Sequence, residues 1–295
     1  MCAEQVQDEI AKQVARAHEI FGKSAEGLPR ILEADPQDRR RLLDPLAQSY
    51  AEPSIPGVQR QRQADAVLHT PADILPGPDI IYVHGGGWVF LSPETHARLC
   101  DLIAARARRR VHVIRYPLAP EHPFPMPLNA VQDAIRLRSK IGPVVVAGDS
   151  AGANLALSAA LALGPSVVCG MGLIYGAFDD DMTTDSHRLF GDGSQPLTTE
   201  EMAYFWQAYA PNDRPWQARP LHGPLHKAPP SVTMVAETDC LRDDSLALVR
   251  ALRAADRPAE TIMMTGLYHG AILHDPILPA VRPFIDQFAD KLTKF

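Results

Sequence analysis

No apolar run in this chain approaches the roughly 20 residues that a membrane-spanning helix needs. A basic excess is also missing. Lys and Arg number 29 against 35 Asp and Glu, leaving a net charge of −6. That balance suggests neither a nucleic acid nor an anionic membrane as partner. Cysteine is scarce: Cys2, Cys100, Cys169 and Cys240 show no framework spacing and suit free thiols in a reducing compartment. None of the eleven histidines falls in an H-E-x-x-H pair, and no C-x-x-C occurs, so no metal is expected. Internal repeats are lacking. The opening, Met1-Cys2-Ala3-Glu4, has no basic start, apolar core or small-residue cleavage site. The expectation is a soluble, cytoplasmic protein with no membrane partner.

What the chain does have is bulk. With 295 residues, 46% of them hydrophobic, it can bury a full core, and a single domain over 1–295 is expected. Val6, Ile10, Val14, Ala17 and Phe21 fall on one face of a helix over 4–22. A second helix fits 37–50, bent or ended by Pro45. Pro53, Pro56 and Gly57 mark a connector, and 58–70 reads as antiparallel edge strands. From residue 79 strands and helices alternate, which argues for an α/β fold with a mostly parallel central sheet and helices on both faces. The alternation breaks over about 178–226, a polar stretch holding Asp179-Asp180-Asp181 and a helix around Thr199–Ala208. This stretch and the N-terminal helices, about 1–50, are read as a helical cap. Arg108-Arg109-Arg110 closes a predicted helix and reads as dipole compensation on a solvated face.

The most informative stretch is Gly148-Asp149-Ser150-Ala151-Gly152. It has the form G-x-S-x-G and lies between an apolar run, Pro143–Ala147, and an Ala/Leu-rich run from Asn154. Strand, tight turn and helix would lift the serine hydroxyl clear of the backbone at a strand's carboxyl end. Glycines on both sides let the chain reverse without a side-chain collision. Upstream, the strand Asp79–Val83 runs into His84-Gly85-Gly86-Gly87-Trp88. With no Cβ in the way, backbone N–H groups of such a turn can face a cavity and receive an oxyanion.

A serine nucleophile needs a base, and the base an orienting acid, expected here in the chain order Ser, Asp or Glu, His. The strand Ser231–Ala236 runs into an acidic cluster, and Asp239 lies in the loop just beyond it. Glu237 reads as still on the strand. Asp243 and Asp244 open the next helix, where capping and the helix dipole account for them. The strand Thr261–Gly266 ends at His269, which is followed by Gly270. His274 is a weaker candidate base, and His84 is read as tying the glycine turn through a ring hydrogen bond. His18 and His96 fall on predicted helices, where a solvated or partly buried histidine is expected, His112 in a strand, and His122, His187, His222 and His226 in loops. The carboxyl ends of parallel strands share one edge, so residues 84, 150, 239 and 269 can meet.

These motifs, with Tyr116–Pro125 between them, resemble the bacterial hormone-sensitive lipase family of α/β-hydrolases over about 79–271. Leu173–Phe178 and Asp185–Gly191 are similar, more loosely, to acetyl esterases. The resemblance implies the α/β-hydrolase fold, Ser150 as nucleophile, His269 as base, Asp239 as acid, and oxyanion donors at the N–H groups of Gly86, Gly87 and Ala151. It implies a serine carboxylesterase that hydrolyses small acetyl to butanoyl esters through an acyl-enzyme, with no cofactor. One departure stands out: Arg115-Tyr116-Pro117 replaces the family's Asp-Tyr-Arg, so altered loop contacts are expected there. Two other classes stay open. An arylformamidase would share the glycine motif and would favour N-formylkynurenine over a nitrophenyl acetate. A non-catalytic receptor of the same fold would give no burst of alcohol from a chromogenic ester. A homodimer also stays open.

Overall fold

Strand β5 (Val144–Asp149) has all of its residues buried, and successive side chains serve opposite layers. Val144 and Val146 join one core, Val145 and Ala147 the other. β3 (Ile80–Val83) divides in the same way, Ile81 and Val83 against Ile80 and Tyr82. A strand covered on both faces must be apolar on both, which is why these segments read as unbroken hydrophobic runs. The computed structural model describes residues 3–24, 26, 28, 30–52 and 54–295. Cys2 and Pro53 lie outside the described residues, as does the side chain of Phe21.

The helices and strands follow the order α1 (Ala3–Ser24), α2 (Pro36–Ala51), β1 (Val58–Arg62), β2 (Ala66–Pro71), β3, α3 (Ala97–Ala107), β4 (Val111–Ile114), α4 (Met126–Arg138), β5, α5 (Ala151–Leu163) and β6 (Val168–Ile174). Then come α6 (Asp185–Phe190), α7 (Thr199–Tyr209), β7 (Ser231–Thr238), α8 (Arg242–Ala254), β8 (Ala259–Tyr268) and α9 (Arg282–Leu292). The strands form one eight-stranded sheet in the order β1-β2-β4-β3-β5-β6-β7-β8. β2 pairs antiparallel with both β1 and β4, and every other pairing is parallel. Helices α4, α5 and α8 contribute to one core, α3 and α9 to the other. This is the α/β-hydrolase architecture, with β5 near the middle of the sheet. No helix among the described residues is long and apolar enough to cross a membrane.

Several local expectations change in three dimensions. Pro45 neither ends nor replaces α2, which runs on to Ala51. A proline there forfeits one intrahelical bond. An Asp35 N-cap and packing of α2 on α3 and on the short turn Pro93–His96 hold the helix through it. Arg109 is not on a solvated face: it is buried, with Nη1 donating to the carbonyls of Leu75 and Arg108. On α1, Ile10 and Ala17 are buried, Val14 is half-buried and Val6 is exposed, a narrow stripe laid against β8. The 178–226 stretch is well anchored. Asn154 of α5 donates from Nδ2 to the carbonyls of Ala177 (2.7 Å) and Ala218 (2.8 Å). Asp180 pairs with Arg214 and Arg219. The α7 residues Trp206 and Tyr209 pack on Trp88, the latter stacked at 4.4 Å.

Candidate active site

The turn between β5 and α5 sets the site. Ser150 has φ 53° and ψ −123°, a conformation unusual for a residue with a side chain. Its flanking glycines are required by contact: a Cβ on Gly152 would lie 2.1 Å from the Val83 carbonyl oxygen, and one on Gly148 2.6 Å from the same atom. Two N–H groups of the first turn of α5, on Ala153 and Asn154, bond back to the Ser150 carbonyl. The hydroxyl is therefore presented at the carboxyl edge of the sheet, above a helix N-terminus.

β7 and β8 end at the same edge. His269 Nε2 lies 3.0 Å from Ser150 Oγ, and His269 Nδ1 lies 2.7 Å from Asp239 Oδ2. An ionised carboxylate only accepts, so this contact places the ring proton on Nδ1 and leaves the Nε2 lone pair facing the serine hydroxyl. Asp239 is buried, and its other oxygen accepts the Leu241 N–H at 2.9 Å. The Tyr175 ring lies 4.5 Å from the His269 ring, centroid to centroid.

The remaining acidic candidates go elsewhere. Glu237 is on β7 and accepts the Gly266 N–H. Asp243 and Asp244 do more than sit at the start of α8. Asp243 accepts the Ser186 N–H at 2.9 Å, and buried Asp244 accepts those of Phe178 (3.1 Å) and Asp179 (3.2 Å). Both side chains thus fasten the 178–226 stretch to the first turn of α8. Burial pushes the Asp244 carboxyl well up from its ordinary value. His274 is half-buried near His18 of α1 and Tyr50 of α2, with Nδ1 2.9 Å from the Tyr268 hydroxyl, and desolvation lowers its pKa to about 3. His187 lies on α6, not in a loop, and is buried.

The glycine turn faces the serine. Gly86 has φ 108° and Gly87 φ 61°, and a Cβ on Gly87 would meet the Phe205 ring at 2.4 Å. His84 Nδ1 donates to the Gly85 carbonyl at 2.9 Å, and its ring stacks on Tyr116, whose hydroxyl donates to the His84 carbonyl. Burial lowers the His84 pKa to about 3. The departure at Arg115 is resolved simply: the guanidinium pairs with Glu94 at 2.7 Å on the surface, while Tyr116 stays in the core.

Sequence reasoning missed the support beneath this turn. Asp149, one residue before the serine, accepts the Gly85 N–H (3.1 Å) and the Tyr82 hydroxyl (2.9 Å), and lies 3.3 Å from His96 Nε2. Burial opposes its charge, but His96 and Tyr82 hold its pKa below the ordinary carboxylate value. His96 is fully buried, contrary to the solvated or partly buried helix position expected of it. Asp149 stood inside the quoted motif; nothing in the spacing of His96 marks it as its partner.

Above the serine is a cavity of 280 Å³, mostly apolar. Gly86, Gly87, Ser150 and His269 form its floor, with Ile31, Leu43, Leu197, Met202 and Phe205 among its walls.

A serine raised on a strand–helix elbow at the carboxyl edge of such a sheet defines a serine hydrolase by class. Comparison with known proteins agrees: the family profile described as alpha/beta hydrolase fold matches residues 80–273. An esterase of Acinetobacter venetianus is 30% identical over 224 residues, covering 72% of this chain and 74% of its own. Among solved structures, a hyperthermophilic esterase from the archaeon Pyrobaculum calidifontis superposes with a TM-score of 0.85 at 27% identity, covering 94% of this chain and 96% of its own. A thermostable esterase from Pseudomonas putida gives 0.82 at 26% identity, covering 95% and 96%. The chain belongs to the α/β-hydrolase fold family, of the hormone-sensitive lipase and carboxylesterase type.

Proposed function

We propose that the protein is a carboxylesterase for short-chain acyl esters, working through an acyl-enzyme. The observation that carries this reading is the hydrogen-bonded line from Ser150 Oγ through His269 to Asp239. In the first half-reaction His269 Nε2 takes the hydroxyl proton as Oγ attacks the acyl carbon. The N–H groups of Gly86, Gly87 and Ala151 receive the developing oxyanion, and buried Asp239 stabilises the imidazolium. The tetrahedral intermediate collapses as His269 returns the proton to the departing alcohol. Water then enters, gives its proton to His269, and its oxygen adds to the acyl carbon. Collapse releases the carboxylic acid and restores the serine.

The acyl preference rests on the walls of the cavity. The N-terminal segment, about 1–50, and the 178–226 stretch act as its cap, supplying Ile31 and Leu43 from one side and Leu197, Met202 and Phe205 from the other. Each methylene that fits gains up to about 0.8 kcal/mol, and each that does not must distort a packed wall at about 1–3 kcal/mol. A series of nitrophenyl esters tests this. Turnover is expected to be best from acetyl to butanoyl, and to fall about tenfold or more by octanoyl, with no rise in rate above the solubility limit. Faster cleavage of octanoyl or longer esters overturns the preference.

A further inference from the structure

The cavity above Ser150 is mostly apolar, with one cationic side chain, Arg39 of α2, and one acidic one, Glu201 of α7, in its wall. The neighbouring arginines on the same helix are committed elsewhere. Arg40 pairs with Glu121 at 2.8 Å, and Arg41 with Asp38 at 2.9 Å. Arg39 is not committed in that way. Its Nε is buried without a hydrogen-bond partner, and its guanidinium carbon lies 5.6 Å from the centre of the Phe90 ring. Glu201 acts on it through charge and not through a hydrogen bond. The Glu201 carboxylate has its own task, since Oε2 accepts the Thr198 N–H (3.0 Å) and hydroxyl (3.1 Å) at the start of α7.

A guanidinium presents five donors in a fork matched to a carboxylate. Leaving a buried donor unpaired costs free energy that a ligand acceptor would recover. Burial lowers the Arg39 pKa, and the charges of Glu201 and Tyr204 oppose that shift. The Phe90 ring face and the charge of Glu201 leave the buried Nε of this cavity-lining side chain without a hydrogen-bond acceptor.

We infer that Arg39 selects esters bearing a carboxylate, on the acyl or the alcohol portion, over neutral esters of the same size. The inference rests on the esterase reading above and names the substrate class for that site. The carboxylate would take the donors of Arg39 while the scissile carbonyl lies over Ser150.

Two matched pairs of substrates test it, each rate divided by the ester's own hydroxide-catalysed rate. On the acyl side, monoethyl succinate is compared with ethyl 4-oxopentanoate; on the alcohol side, acetoxyacetate with acetoxyacetone. At least one pair is expected to favour the anion about tenfold or more in kcat/KM, chiefly through KM, and which pair does so locates the carboxylate. Arg39→Met should bring that ratio to about one or below, while Arg39→Lys should keep part of it. Raising the salt concentration should lower the ratio in the unaltered protein, a readout that needs no variant to fold. Ratios near one for both pairs, or a ratio that survives in Arg39→Met, overturn the inference and leave the esterase reading standing. If no ester of either kind is cleaved, the esterase reading itself falls. Calorimetry on Ser150→Ala then decides the Arg39 question separately: tighter binding of the anionic member supports it, and equal binding overturns it.

Discussion

In the proposed mechanism Ser150, His269 and Asp239 act only as a unit, because the base without the nucleophile has no proton to take. Ser150→Ala and His269→Ala should each remove about six decades of kcat, and the double variant little more. Asp239→Asn should cost on the order of 10⁴, since an amide can donate to Nδ1 and stabilise the wrong tautomer. Steady-state kinetics on a nitrophenyl acetate measures all of these. Near-normal turnover of Asp239→Asn would contradict the assigned acid. Asp149 acts one step back, as a positioning residue. Its carboxylate holds the Gly85 N–H and so fixes the glycine turn over the elbow. A Cβ on Gly85 would lie 2.4 Å from Asp149 Oδ2, so the two positions constrain each other. Asp149→Ala should lower kcat by about 10² through misplaced oxyanion donors. KM should change little, and the KM-to-kcat split distinguishes this from general loss of fold.

Among the elements, α2 is the one whose place most depends on a single side chain. Arg40 Nε donates to the Val89 carbonyl at 2.7 Å, Nη2 to the Ala119 carbonyl at 2.6 Å, and the guanidinium pairs with Glu121. These bonds tie the helix to both loops that flank the glycine turn. Hydrogen bonds to charged groups contribute more than neutral ones, so Arg40→Met should cost about 1–3 kcal/mol in urea unfolding. An unchanged unfolding midpoint would show that the apolar contacts of α2 suffice. The insert is held differently, by carboxylates of α8 and by aromatic packing of α7. Its polar composition suits many specific hydrogen bonds to the body of the enzyme better than a loose, apolar lid.

For the molecule as a whole, two histidines should make acid destabilising, an effect that Asp244, whose carboxyl burial pushes well up, opposes in part. Burial lowers the pKa of His84 and of His274 from 6.5 to about 3 each. In the unfolded chain both bind a proton as pH falls through 6.5, while the native protein excludes it until about 3. The contribution of these two groups is therefore complete above 6.5 and is lost progressively across that window. Glu121, held down to about 2 chiefly by its hydrogen bond to Arg40, adds a further loss below 4.5. The urea midpoint should decline steadily from pH 7 to pH 4, and His274→Gln should flatten part of that decline. A midpoint constant over this range would mean that the two imidazoles take up protons without cost.

The sequence alone determined the fold class and the gathering of the site. Strands apolar on both faces, separated by helix-length segments, allow little except a parallel sheet covered on both sides. Once that sheet exists, Ser150, Asp239 and His269 share an edge because each follows a strand's carboxyl end. The glycines around Ser150 were legible for the same local reason, a steric demand written in residue type. Other features were settled only by tertiary contact. Asp243 and Asp244 read as helix-start residues and proved to be anchors for backbone 57 and 66 positions away in the chain. Pro45 read as a break, yet packing of α2 outweighs one lost bond. Buried His96 opposite Asp149, buried Arg109, and Arg39 facing the cavity had no signal in spacing or periodicity. Backbone sterics act between near neighbours and leave a pattern in the sequence. The partner of a long charged side chain, or of a buried imidazole, depends on which distant elements the packed core brings within reach.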